Sequence, residues 1–134
     1  MQVEPHLNFD GRCEEALEFY KKALDAKVGV LMRFKDAPDQ SMITPGSENK
    51  VMHSQIQVGD ATLFMSDGRC TGNTNFHGIA LAVSVKSEAE AEKTFAGLAD
   101  GGQVQMPLGK TFFSPRFGML SDKFGVGWMI VTAS

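Results

Sequence analysis

Histidine and cysteine are the residues of this chain that most readily do acid–base or nucleophilic chemistry. The sequence has three histidines, His6, His53 and His77, and two cysteines, Cys13 and Cys70. His53 opens a strand-like run, where its imidazole can serve as a base or a polar anchor; the alternative is a strand histidine satisfied by a hydrogen bond. Cys13 falls on a helical pattern and Cys70 in a glycine-rich loop. We expect two free thiols, since a catalytic cysteine needs an activating base nearby.

A second group of side chains is suited to binding a ligand. Asp67 and Asp122 lie at turns, where the alternative is capping of their own backbone. An aromatic and thioether set would form the wall of a pocket for an apolar or planar ligand: Met65, Phe112, Phe113, Phe117, Trp128 and Met129. Such residues equally form a core or a dimer interface. Arg116, beside this set, can pair with a carboxylate or phosphonate of a ligand, or remain a solvated surface residue.

The elements that position these residues follow the same order twice. The first half reads as a strand at 3–9, a helix at 12–25 capped by Asp10, a strand at 28–35, and a hairpin of strands 53–58 and 61–65. The second half reads as a strand at 77–85, a helix that begins at the capping box Ser87–Glu90 and ends at Gly101, a strand at 103–108, and a hairpin of strands 116–121 and 127–132.

This repetition predicts one α+β domain over residues 1–134, built from two βαβββ modules at about 1–67 and about 76–134. We expect each helix to pack on the back of its sheet, so that the open faces of a curved mixed sheet enclose a cleft. The loop at 36–50 is long for a structureless connection, which predicts a mobile segment near the mouth of the cleft or near a dimer partner.

Composition excludes several classes of protein. A net charge of −3 without a basic cluster argues against a nucleic-acid partner. The sequence has no run of about 18 apolar residues, so we expect no membrane span. Residues 1–5 lack the basic start and apolar core of a secretion signal, so we expect a cytoplasmic protein.

Several phrases of the sequence resemble the vicinal oxygen chelate superfamily, which includes glyoxalases, bleomycin-resistance proteins and extradiol dioxygenases, and within it the PhnB-like branch. The phrases are Leu7–Gly11, Glu15–Tyr20, Met65–Asp67 and Asp122–Ile130, and they span nearly the whole chain. The resemblance implies two βαβββ modules, a homodimer and, in many members, one divalent metal in the cleft.

The resemblance also implies where such a metal would bind. In one common arrangement a histidine opens the first strand of each module and a glutamate lies on a closing strand. His6 and His77 stand at the histidine positions, and two imidazoles with a carboxylate would suit Mn²⁺, Fe²⁺, Zn²⁺ or Ni²⁺. Met129 stands at the glutamate position, and a thioether is a poor substitute for a carboxylate. We therefore expect either no metal or one divalent ion held by His6 and His77, with Asp67 or water completing the shell.

Two hypotheses for the function follow. The first is a protein that binds a small planar or apolar ligand in the cleft beside a degenerate metal site, through His53, Met65, Asp67, Phe113, Arg116, Phe117, Trp128 and Met129. The alternative is a metal-dependent lyase, isomerase or dioxygenase that uses His6 and His77. A methyltransferase, a label often attached to this branch, is not supported. The strand-to-helix turns at Asp10–Gly11 and Lys86–Ser87 lack the glycine-rich form that a nucleotide-type cofactor requires.

Overall fold

Two four-stranded sheets, each with one α-helix, make up the part of the chain that the computed structural model describes, residues 1–41, 43–68 and 74–132. The chain divides into two units, Met1–Thr74 and Asn75–Ser134. The predicted α+β class and the order β-α-β-β-β in each half are confirmed. Within the described ranges, neither helix is long and apolar enough to cross a membrane.

Unit 1 is a mixed sheet with one parallel strand pair. Its elements are β1 His6–Asn8, α1 Cys13–Ala23, β2 Lys27–Arg33, a 3₁₀ turn Phe34–Asp36, β3 Val51–Val58 and β4 Ala61–Ser66. The strand order is β1-β4-β3-β2, in which β1 runs parallel to β4 and the other pairs are antiparallel. The first strand is shorter than the predicted 3–9.

One face of the unit 1 sheet packs against α1 through residues of alternating parity. Ser54 and Ile56 of β3 pair with Met65 and Leu63 of β4, and all four are buried. The helix α1 supplies the other side of this core: Cys13, Ala16, Leu17 and Tyr20 are buried. Because strand side chains alternate between faces, the residues between these lie on the opposite side of the sheet.

Unit 2 repeats the plan of unit 1. Its elements are β5 Ala80–Val85, α2 Glu88–Ala99, β6 Gln103–Gly109, β7 Phe117–Ser121 and β8 Gly127–Thr132, in the sheet order β5-β8-β7-β6. The predicted helix start is confirmed, since Ser87 Oγ accepts a hydrogen bond from the Glu90 amide at 3.1 Å. Leu120, Trp128 and Ile130 form the buried face of the sheet.

Two local predictions need correction. Asp10 does not cap α1: it lies in the turn before the helix with a φ of 53°, and the helix has no capping bond from its N-cap side chain. His77 does not open β5, which begins at Ala80. It lies in an exposed turn, where its amide donates to Asn75 Oδ1 at 2.8 Å. The cleft between the modules stays a prediction, and so do the mobility of the 36–50 loop and the homodimer.

Candidate functional site

The open face of the unit 1 sheet carries a row of rings. His6 of β1 is the register partner of Phe64 in β4, and their ring centroids are 6.4 Å apart with planes inclined by 33°. His53 of β3 approaches the same phenyl ring, at 5.6 Å and 31°. Phe64 and His53 are half-buried and His6 is exposed. The structure therefore brings two sequence-predicted histidines to one phenylalanine that the sequence did not single out.

A hydrogen-bond network anchors one end of this row. His6 Nε2 lies 2.9 Å from Ser66 Oγ, and the Ser66 hydroxyl donates to Asn8 Oδ1 at 2.7 Å. The Gly68 amide donates to the same Ser66 oxygen at 3.3 Å. Ser66 is buried, whereas His6 and Asn8 are exposed. We call His6, Asn8, His53, Phe64 and Ser66 the histidine face.

Asn8, Phe64 and Ser66 were not among the residues predicted from the sequence. The alternation of Leu63 and Met65 around Phe64 is the signal that could have placed Phe64 on the open face. The contact with His6 could not be found in this way, because it depends on the pairing of strands that are 58 positions apart.

Asp67 forms a structural contact next to this face. Its Oδ1 accepts hydrogen bonds from the Gly11 and Cys13 amides, each at 2.8 Å, and its Oδ2 accepts one from the Val51 amide at 2.8 Å. Only 1% of its surface is exposed. Asp67 therefore caps the start of α1 from the end of β4, which is the capping alternative of the sequence analysis; its role as a ligand or metal contact stays a prediction.

Met65 and Trp128, which were predicted to contact a ligand, are core residues within their units. Met65 has no exposed surface and lies on the face covered by α1. Trp128 is 2% exposed, and its Nε1 donates to Asp122 Oδ2 at 2.8 Å. Asp122 Oδ1 accepts hydrogen bonds from the Phe124 and Val126 amides at 2.9 and 3.1 Å. Asp122 therefore caps the backbone of its own turn, which was the alternative to a ligand contact. None of these side chains is available to a ligand in this arrangement.

Four other predicted residues of unit 2 lie close together in the chain: Phe112, Phe113, Arg116 and Phe117. Phe113 stacks edge-on against Phe117, with ring centroids 5.0 Å apart, and the Phe112 ring lies 5.1 Å from Phe113. Arg116 forms ion pairs with Glu88 and Glu92 of α2, each at 3.2 Å. Phe113 and Arg116 line an open concavity of about 640 Å³. Because two carboxylates already face Arg116, its charge is largely compensated before any anionic ligand arrives.

The pairing of strands within each unit decides which side chains lie close enough to act together as metal ligands. In unit 1 the parallel strands β1 and β4 pair His6 with Phe64, and in unit 2 the parallel strands β5 and β8 pair Ala82 with Met129. The first pair is an imidazole with a phenyl ring, and the second is a methyl group with a thioether. Within the described residues, no three His, Cys, Asp or Glu side chains form a group that could hold a metal ion. The donors of each unit do not fit the divalent metal implied by the resemblance.

Cys13 is protected by burial. Its Sγ lies 3.8 Å from Ser54 Oγ inside unit 1, and burial raises the pKa of the thiol to about 12 although the Ser54 hydrogen bond lowers it. A protonated, buried thiol is a poor nucleophile. Cys13 is a free cysteine, as predicted; the prediction for Cys70 lies outside the described residues.

Comparison with known proteins agrees with the architecture. The sequence model of a family described as 3-demethylubiquinone-9 3-methyltransferase matches residues 1–131. The crystal structure of protein PA1353 from Pseudomonas aeruginosa is similar, with 37% identity, a TM-score of 0.88, and coverage of 99% of this chain and 98% of that one. A Bacillus cereus protein titled putative 3-demethylubiquinone-9 3-methyltransferase, PhnB protein, has 28% identity, a TM-score of 0.82, and coverage of 99% and 100%.

A curated relative and more distant structures extend this comparison. Protein YjdN from Escherichia coli (strain K12) is 29% identical over 97% of this chain and 94% of its own length. A glyoxylase/bleomycin resistance protein/dioxygenase domain from Frankia sp. EAN1pec shares the fold at 16% identity and a TM-score of 0.65, over 99% of this chain and 95% of that one. The chain belongs to the family described as 3-demethylubiquinone-9 3-methyltransferase, and its similarity to a PhnB protein and the fold that it shares with a glyoxylase/bleomycin resistance protein/dioxygenase domain agree with the resemblance to the PhnB-like branch of the vicinal oxygen chelate superfamily.

Proposed function

We propose that this protein binds a small planar molecule on the histidine face of unit 1. The observation that carries the proposal is the phenyl ring of Phe64 with an imidazole on either side, on the sheet face opposite α1. The exposed part of this half-buried phenyl ring offers a flat apolar surface, and aromatic pairs contribute about 0.5–1.5 kcal/mol beyond the burial of area. The imidazoles and the Asn8 amide add polar groups that orient a ligand.

The family description supports the planar class of ligand, since the demethylubiquinone that it names has a flat ring. Methyl transfer is not part of the proposal. The amides at the start of α1 are bonded to Asp67, and an amide at the start of α2 is bonded to Ser87. Neither helix start therefore offers the open amide cradle by which proteins hold a nucleotide-type cofactor.

Unit 2 also carries apolar side chains that were predicted to contact a ligand. Phe113 is exposed and Met129 is half-buried, so both would suit the same class of ligand, whereas Phe117 is buried and packs against Phe113. Arg116 is a weaker candidate because Glu88 and Glu92 already neutralise it. A divalent metal is not proposed as part of the site, since the donors within each unit do not fit one.

We further propose a homodimer. Unit 2 exposes large apolar side chains that would favour burial in an interface, among them Ile79, Val104 and Met106. Sedimentation equilibrium should give twice the chain mass of 14.6 kDa. Met106→Lys should weaken the association, whereas Val30→Lys, at an exposed valine of unit 1, should not. A monomer mass over the whole concentration range would refute the dimer.

A thermal-shift comparison tests the ligand proposal. Planar aromatic compounds such as 2-naphthol should raise the melting temperature, because a ligand that binds only the folded state stabilises it, whereas cyclohexanol should have little effect. Phe64→Ala should reduce the affinity about three- to tenfold through loss of the stacked ring. Phe112→Ala is the matched control, since Phe112 is fully exposed in unit 2. Equal stabilisation of both variants by 2-naphthol would refute the proposed location.

A further inference from the structure

The Ser66 hydroxyl has a fully assigned set of hydrogen bonds. A serine hydroxyl has one proton to donate and two lone pairs to accept with. Its proton goes to Asn8 Oδ1 at 2.7 Å, and one lone pair receives the Gly68 amide at 3.3 Å. Ser66 is buried, so bulk water offers few competing partners. The remaining lone pair faces His6 Nε2 at 2.9 Å.

This assignment fixes the tautomer of His6. Because the Ser66 proton is used by Asn8, the contact between His6 and Ser66 is a hydrogen bond only if Nε2 carries the hydrogen and donates it. A neutral imidazole has one N–H, so the other nitrogen, Nδ1, then holds a lone pair. His6 is an exposed residue of the open face.

We infer that Asn8 and Ser66 hold neutral His6 in the Nε2–H tautomer, and that Nδ1 accepts a hydrogen bond from a hydroxyl group of the planar ligand. The ligand part rests on the proposed function. Phe64 lies beside His6 and supplies the flat surface for the ring. The class of ligand is therefore a phenol or an enol, whose hydroxyl donates, rather than a ketone or an ether. His6 is the contact residue, and Asn8 and Ser66 are positioning residues.

Nitrogen-15 NMR of histidine-labelled protein tests the tautomer without any ligand. At a pH of about 8.5, where an ordinary imidazole is neutral, His6 should show its proton on Nε2. Asn8→Ala removes the acceptor of the Ser66 proton, so the hydroxyl becomes able to donate to His6 and the Nδ1–H form should increase. Ser66→Ala should shift the same equilibrium. His77, which lies in the other unit, is the internal control and should not change. A His6 proton on Nδ1 in the wild type, or a tautomer that neither variant changes, would overturn the inference.

A matched pair of compounds tests the ligand part. The naphthalene ring is the same in 2-naphthol and 2-methoxynaphthalene, but only the first has a hydroxyl to donate. Loss of one such hydrogen bond should weaken binding about tenfold in the wild type, and Asn8→Ala should remove most of the difference. Equal affinity of the wild type for both compounds would refute the role of Nδ1 and leave the planar site intact. If the protein bound neither 2-naphthol nor 2-methoxynaphthalene, the proposed function and the ligand part of the inference would both be refuted. The NMR spectrum would still decide the tautomer of His6.

Discussion

Asp67 shows how one buried carboxylate organises unit 1. Its two oxygens accept three backbone hydrogen bonds, from Gly11, Cys13 and Val51, and so join the start of α1 to β3 and the end of β4. Helix starts leave amides unsatisfied, and an anion placed there is also favoured by the helix dipole. The sequence predicted turn capping by Asp67 as an alternative, but it could not identify the partners, which are up to 56 positions away.

Replacement of Asp67 tests this role. Asp67→Ala leaves three amides without their acceptor, and hydrogen bonds to charged groups contribute about 1.5–3 kcal/mol each with incomplete additivity. We expect the free energy of unfolding to fall by about 3 kcal/mol or more, measured by urea denaturation. Asp60→Ala, at an exposed position of the β3–β4 turn, is the control and should change it by less than about 0.5 kcal/mol. If Asp67→Ala lowered the free energy of unfolding as little as Asp60→Ala does, the capping role would be contradicted.

Cys13 should be chemically inert in the folded protein. Burial raises the pKa of its thiol to about 12, so the thiolate is scarce near neutral pH and the sulfur is also inaccessible. Treatment with iodoacetamide at a pH of about 8, followed by peptide mass analysis, should leave Cys13 unmodified. In guanidinium chloride it should react fully. Rapid modification under native conditions would show that this part of the core opens readily.

Strand register explains why the two modules differ at the scale of elements. The sequence placed His77 at the start of a strand, by analogy with His6, because the run from 77 to 85 alternates in polarity. The strand instead begins at Ala80, after the turn at His77 and Gly78, and the β5 residue that pairs with Met129 is Ala82. The polarity pattern predicted that a strand exists and which faces its residues take, but the register depends on the partner strand.

Gly102 marks a place where two segments of unit 2 approach closely. A β-carbon at this position would lie 2.2 Å from the carbonyl oxygen of Ser121, and a backbone atom cannot move aside as a side chain can. We expect Gly102→Ala to lower the free energy of unfolding by about 2 kcal/mol or more. Trp128, the one tryptophan of the chain, lies in the same unit, so its fluorescence should follow the unfolding.

Gly109→Ala is the matched control for this prediction. Gly102 lies just before β6 and Gly109 is the last residue of that strand. A β-carbon added at Gly109 would have its nearest neighbouring atom 3.9 Å away. Its substitution should change stability by less than about 0.5 kcal/mol. Equal stability of the two variants would contradict the close contact at Gly102.

At the scale of the molecule, the duplicated order of elements could be predicted because each half contains its own helix signal and its own hairpin. The functional face could be predicted only in part. His6 and His53 were identified as candidates, but Phe64 and Ser66 look like ordinary residues of a hydrophobic strand until the register is known. Met65 and Trp128 were assigned to a ligand because apolar side chains suit a core and a pocket wall equally well. The cleft between the modules stays a prediction.

The central claim is that a planar ligand binds to the histidine face. Backbone amide chemical-shift mapping during a titration with 2-naphthol tests it most directly. We predict that the largest shifts occur at residues of that face, Asn8, His53 and Phe64 above all, with saturation at one common affinity. Shifts centred on residues 110–116 of unit 2, or no saturable shifts at all, would contradict the account.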